Sequence, residues 1–177
     1  MFFVKIAEML IIVCGLQGTG KTYVAGKIAE KVNANLLRTD VIRKELSEQN
    51  TYSGKEIQNI YQEMFVRAET LLRQQRNTVL DATFSSDHNR KAARQLAASF
   101  QQDFILVEVV CDEKVVEKRI TARKNDASDA DFNVYLKYKS LFDPLNGEHI
   151  IIENSGTIEE TELQIEAIFN LFSQKTT

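Results

Sequence analysis

Proline occurs once in these 177 residues, at Pro144, cysteine only twice, histidine twice and tryptophan not at all. With two cysteines there is no disulfide framework. Cys14 and Cys111 end apolar runs and lack the spacing of metal ligands, so they read as buried thiols of a cytosolic protein. His88 and His149 are isolated and belong to no ligand cluster. No apolar run approaches the roughly 20 residues that span a bilayer. The opening MFFVKIAEM has no charged leader ahead of a long apolar segment, which argues against a signal peptide. A cytoplasmic protein without a membrane segment is expected, with residues 1–8 as an N-terminal extension. The charge balance is also unremarkable in sign: 22 Lys and Arg against 25 Asp and Glu give a net charge of -3. That balance supplies no electrostatic reason for tight binding to long nucleic acid.

What is present is regular. There is no repeat, low-complexity tract or Pro/Ser linker, so residues 1–177 read as a single domain, long enough to build a core unaided. Apolar runs suited to buried parallel strands occur at Met9 to Cys14, Val79 to Leu80, Phe104 to Cys111 and His149 to Ile152, with a weaker one at Ala34 to Arg38. Helical periodicity fills the intervals: Gly20 to Val32, Lys55 to Gln75, Asp87 to Phe100, Asp112 to Lys124 and Ile158 to Phe172. Strands alternating with helices imply βαβ units, hence a three-layer α/β fold around a mostly parallel sheet.

Three of the seven glycines fall between residues 15 and 20. The segment Gly15-Leu-Gln-Gly-Thr-Gly-Lys-Thr22 fits G-x-x-x-x-G-K-[ST] at every fixed position. Glycines allow backbone N–H groups to turn inward around an anion, and Lys21 adds a point charge for the β- and γ-phosphates. Thr22 is spaced to ligate Mg²⁺. The apolar strand before the loop and the amphipathic helix after it are the context this mechanism needs. Gly15, Gln17, Gly18, Thr19, Gly20, Lys21, Thr22 and Tyr23 are therefore the candidate nucleotide-binding residues, with ATP and Mg²⁺ as the implied cofactors. No N-K-x-D element for reading guanine is present, and Thr78-Val-Leu-Asp81 ends in a single acid rather than a carboxylate pair. Both absences favour phosphoryl transfer over a GTPase or a motor.

Ligand-binding residues of an open α/β sheet gather at the carboxyl ends of its strands. Asp40 follows the second strand, and Arg43 lies one helical turn on. A carboxylate that accepts a hydroxyl proton and an arginine that clamps the acceptor are what transfer to an alcohol needs. Lys21, Asp40 and Arg43 are thus the candidate catalytic residues, although Asp40 also suits an N-cap. Asp81 ends the third strand as a candidate contact to Mg²⁺, together with Thr22, or to the acceptor. Thr83 and Arg90 complete the candidate acceptor site. Arg119 and Arg123 share one helical face, and a polar break with Ser128 as a cap leads to a segment ending near Tyr138. This pattern reads as a lid over about 119–140 whose guanidinium groups close on the nucleotide. Asn154-Ser-Gly156 is read either as a rest for the adenine ring or as an ordinary connection.

Taken together, the phosphate loop, D-x-x-R, V-L-D-A-T-F, R-I-x-x-R, S-D-A and N-S-G resemble the P-loop kinase family of the polynucleotide kinase, zeta toxin and gluconate kinase type. The resemblance runs from about Leu10 to Gly156 and is nearest to stand-alone bacterial and archaeal predicted kinases of AAA-type ATP-binding character. It implies a five-stranded sheet ordered 2-3-1-4-5, Asp40 as general base, Arg43 as an acceptor or phosphate contact, and Arg119 and Arg123 in the lid. Neighbouring first and fourth strands would bring Cys14 and Cys111 near each other. Many relatives carry proline where this chain has Gln17. The expected acceptor is a hydroxyl of a small metabolite. A nucleic-acid 5′-hydroxyl, a toxin-like nucleotide-sugar kinase and a nucleotide-dependent regulatory ATPase are the alternatives.

Overall fold

The strand MLIIVC, Met9–Cys14 (β1), is buried along its whole length, because its residues serve two cores at once. Met9, Ile11 and Val13 point into one layer and Leu10, Ile12 and Cys14 into the other, following the period of two in an extended chain. Burying each such large aliphatic side chain contributes about 1.5–3 kcal/mol. This is a computed structural model, and it describes residues 8–46, 53–122 and 132–174, with side chains to 170.

Asn35–Arg38 (β2), Thr78–Asp81 (β3), Asp103–Val110 (β4) and Ile150–Glu153 (β5) complete a sheet ordered β2-β3-β1-β4-β5. Every pairing is parallel, so the expected order and the α/β class are both found. β1 and β4 are neighbours, but the register pairs Cys14 with Glu108. Cys111 therefore lies three residues farther on, about 10 Å of strand, and the two thiols are not opposite each other.

One face of the sheet is covered by Lys21–Lys31 (α1) and Ile158–Gln174 (α7), through Val24, Ala25, Ile28, Ile165 and Ile168. The other is covered by Thr39–Leu46 (α2), Gly54–Arg73 (α3) and Asp87–Ser99 (α4). Local chemistry sets where these helices begin. The Ser53 hydroxyl accepts from the N–H of Glu56, a serine and a glutamate at capping-box spacing at the head of α3. Ser86 caps α4 through the N–H of His88. α2 begins at Thr39, directly after β2, so Asp40 sits in its first turn and is not its cap. Glu113–Ala122 (α5) and Phe132–Ser140 (α6) carry the described part of the expected lid; Arg123 and Ser128 lie outside the described residues.

At the outer edge of the sheet, Gln164 of α7 accepts from the Glu153 N–H at 2.9 Å and donates to the Glu153 carbonyl at 2.8 Å. No described helix is long and apolar enough to cross a membrane.

Candidate active site

The loop leaving β1 is shaped by how closely it passes its neighbours. At Gly15 (φ 143°) a Cβ would fall 2.4 Å from the Val109 carbonyl of β4, a distance no side chain tolerates. Its N–H donates to the Thr83 carbonyl at 3.3 Å, tying the start of the loop to the end of β3. The Thr19 hydroxyl and the Lys21 ammonium both donate to the Leu16 carbonyl, at 2.8 and 3.1 Å. Gly20, in the left-handed region, precedes α1, and no side chain caps that helix. The head of α1 thus carries no side-chain cap, and its dipole favours an anion there.

Asn154 braces this loop from behind. Its amide Nδ2 donates to the Thr19 carbonyl at 2.7 Å while its Oδ1 accepts from the Thr161 hydroxyl at 2.7 Å. A Cβ on Gly20 would lie 2.1 Å from that same Nδ2. The residue read as a rest for adenine is therefore buried and committed to the loop. Arg119 reaches the loop from α5, its Nη1 3.5 Å from the Gly18 carbonyl and 3.4 Å from the Cys111 sulfur.

At the head of α1 the Thr22 hydroxyl donates to Asp81 Oδ2 at 2.7 Å. Arg38 Nε stands 3.4 Å from the same oxygen, and the Asp81 side chain is 4% exposed. A hydroxyl beside a buried carboxylate is the hard-oxygen donor set that suits Mg²⁺, which typically takes one or two protein ligands and fills the rest with phosphates and water. Among the described residues no three His, Cys, Asp or Glu side chains gather as a metal cluster.

A cavity of about 150 Å³ opens beside this pair, and Lys21, Thr22, Asp40, Arg43, Asp81 and Thr83 all line it. These six of the expected phosphate, metal and acceptor residues therefore share one cavity, while Arg90 and Tyr23 do not line it. Arg43 Nη1 donates to Asp40 Oδ1 at 3.4 Å, and Arg43 Nε lies 3.7 Å from Glu56 Oε1 on α3. The Asp40 side chain is 65% exposed, against 16% for Arg43.

The wall bearing Thr83 is built on Phe84, a fully buried residue with φ 47°. Its N–H donates to the Tyr61 hydroxyl at 2.8 Å, and its carbonyl accepts from Arg90 Nη1 at 2.7 Å. Arg90 also donates to the carbonyls of Ser85, Asp143 and Pro144. Arg90, expected at the acceptor, is instead a buried staple behind the wall and does not line the cavity. Tyr23, expected at the nucleotide, bonds Glu162 of α7 at 2.7 Å. Burial pushes the Tyr61 phenol up, so it stays neutral and accepts the Phe84 N–H. Burial, reinforced by Glu108, pushes the Cys14 thiol up to about 12, which removes it as a nucleophile at neutral pH.

Tyr61 and Tyr138 also line the cavity. Tyr61 belongs to the apolar stripe of α3, and Tyr138 ends the lid segment, yet neither pattern marks its hydroxyl as part of a site.

The sequence pattern of an AAA domain matches residues 10–145, most of the chain. The chain belongs to this AAA domain family. Uncharacterized proteins of Mycobacterium tuberculosis (strain ATCC 25618 / H37Rv) and Mycobacterium bovis are 31% identical over 68% of the domain. The domain spans about a quarter of their length, 27%. Among solved structures, the domain superposes on the Mycobacterium tuberculosis APS kinase CysC in complex with AMPPNP and APS. The TM-score is 0.71 at 17% identity, with 94% of this chain and 98% of that one covered. A gluconokinase from Sinorhizobium meliloti 1021 gives 0.69 at 16% identity, covering 96% and 98%. A chain of the Pnkp1/Rnl/Hen1 RNA repair complex gives 0.66 at 18% identity, covering 77% and 44%. The fold is that of the P-loop kinases.

Proposed function

We propose that the domain transfers the γ-phosphoryl group of ATP to a hydroxyl of a small molecule, with Mg²⁺. The observation that carries this reading is the single cavity in which Asp40 and Arg43 face Lys21, Thr22 and Asp81. The loop from Gly15 to Thr22 holds the phosphate chain, and Lys21 offsets charge that builds on the β- and γ-phosphoryl oxygens. Thr22 and Asp81 would hold Mg²⁺, which when bound neutralises phosphate charge and orients the γ-group. Asp40 accepts the proton of the acceptor hydroxyl as its oxygen bonds to the γ-phosphorus. The bond from that phosphorus to the β,γ-bridging oxygen breaks, and ADP leaves with the electron pair. Arg43 orients Asp40 and the acceptor. Arg119 covers the phosphates from α5; Arg123 is assigned the same duty on the family resemblance.

The deciding experiment is an ATP-dependent phosphorylation screen against a metabolite library, with a 5′-hydroxyl oligonucleotide as one arm. Asp40→Asn should lower turnover by about 10²–10⁴-fold, the usual worth of a positioned base, and leave ATP affinity within about twofold. Turnover equal to that of the unaltered domain would remove Asp40 from the mechanism.

A further inference from the structure

The charges at the acceptor end are nearly all spoken for. Arg43 stands between two carboxylates, Asp40 at 3.4 Å and Glu56 at 3.7 Å, and Glu56 is itself well buried at 13% side-chain exposure. Among the described residues, one guanidinium with two carboxylates gives this end of the cavity an excess of one negative charge, and the other cations nearby belong to the phosphate end. Lys21 lies on the loop carbonyl of Leu16, and Arg38 pairs with Asp81 behind Thr22. Arg90 is turned away onto backbone carbonyls. A carboxylate or phosphate on the acceptor would have to displace Asp40 or Glu56 from Arg43, or sit beside both, and like charges brought together in a half-buried site are strongly disfavoured.

The remaining polar lining is neutral. The hydroxyl-bearing residues Thr83, Ser85 and Tyr138 line the cavity together with Gln17. The Gln17 Oε1 is buried and has no hydrogen-bond partner among the described residues. An acceptor oxygen left in that condition is costly until a donor reaches it. A hydroxyl group donates, whereas an ionised acid group brings only further lone pairs. Ile57 and Ile60 form an apolar side suited to the C–H face of a sugar or cyclitol. The volume, about 150 Å³, falls below the roughly 300–1,000 Å³ of pockets for larger ligands.

From this we infer that the phosphoryl acceptor is a small uncharged polyhydroxyl molecule, a polyol, free sugar or cyclitol, rather than a sugar acid or an already phosphorylated metabolite. The inference rests on the phosphotransferase reading for its chemistry, but the binding preference it asserts can be measured separately. The probes are matched pairs, each a neutral polyol, aldose or inositol and its aldonic, uronic or monophosphate counterpart. Each is titrated calorimetrically into the domain loaded with AMPPNP and Mg²⁺, and then incubated with ATP for product analysis.

At least one neutral member should bind more tightly than its anionic counterpart by about tenfold or more. Glu56→Gln, which keeps a side chain suited to the capping box of α3, should move the preference toward the anionic member by about tenfold, with the melting temperature read as the check on folding. Tighter binding of the anionic members overturns the inference and leaves the phosphotransferase reading standing. So does binding of neither class accompanied by product from some other acceptor. A folded Glu56→Gln variant with unmoved preference overturns the charge account on which the inference stands. Tight binding of a neutral member without any phosphorylated product supports the preference of the site for a neutral polyhydroxyl ligand and retires the phosphotransferase reading.

Discussion

Asp40 and Asp81 stand at the same edge of the sheet, each beside the end of a strand, yet the first is 65% exposed and the second 4%. The contrast extends to the two ends of the site. At the phosphate end Asp81 is held by Thr22 and Arg38, and the loop is pinned by Asn154 and approached by Arg119. At the acceptor end Asp40 projects from the first turn of a short helix, with Arg43 as its neighbour. Under the proposed function a triphosphate would be the same in every turnover, so its site would gain from being built in advance and costing no reorganisation. On the same proposal, an accessible base would stay free to take up a hydroxyl as the acceptor arrives, and the energy of closing around the correct acceptor could then be used for discrimination.

The comparison can be broken most severely at the wall between the two ends. Arg90→Ala would leave four backbone carbonyls without their charged donor and should lower unfolding free energy by about 3 kcal/mol or more. Both sites should fail together, as urea denaturation and the loss of AMPPNP binding would report. Asn154→Ala should loosen only the phosphate end. Losing its bond to the Thr19 carbonyl should weaken nucleotide binding by about tenfold, near 1.4 kcal/mol, while the KM for the acceptor holds steady in assays at saturating ATP. Tyr138→Phe sharpens the comparison from the opposite side. Removing one hydroxyl from the cavity should raise the acceptor KM by about threefold, the effect of one ordinary hydrogen bond, and leave the nucleotide Kd unmoved by calorimetry.

The smallest effect lies away from the cavity, where hydrogen bonds from Lys27 and then Tyr23 hold the Glu162 carboxyl below its ordinary range. A carboxyl lowered by folding stabilises above its unfolded pKa, and that contribution disappears as pH falls through its folded pKa. Glu162→Gln should therefore flatten slightly the acid side of a pH–stability curve while activity at neutral pH stays the same. An unchanged curve would mean that the exposed cluster contributes nothing measurable.

β1 was legible to the residue because six apolar side chains in a row, followed by a glycine-rich turn, fit only a strand buried on both faces. The weaker β2 was legible chiefly from its position between helices, since all four of its residues are only partly buried. Registers were not legible, because they depend on which strands pair; the offset of Cys14 from Cys111 shows the result. Spacing singled out Lys21, Thr22, Asp40, Arg43, Asp81 and Thr83, which line one cavity because their positions follow from strand ends and helical turns. It missed the duties of Arg90 and Asn154 for a common reason. The partners of Arg90 include carbonyls 53 and 54 residues away, and Asn154 reaches back 135 residues to Thr19. Local pattern carries no record of contacts at such separations.

The paired bonds from Gln164 to the backbone of Glu153 bear on how this molecule keeps company with others. They occupy the same N–H and carbonyl that an incoming β-strand would use to lengthen the sheet at β5, and open sheet edges are the usual starting points for aggregation. A single amide side chain thus acts as a terminator of sheet growth at that edge, and a residue that lies outside the cavity closes Glu153 to a pairing strand.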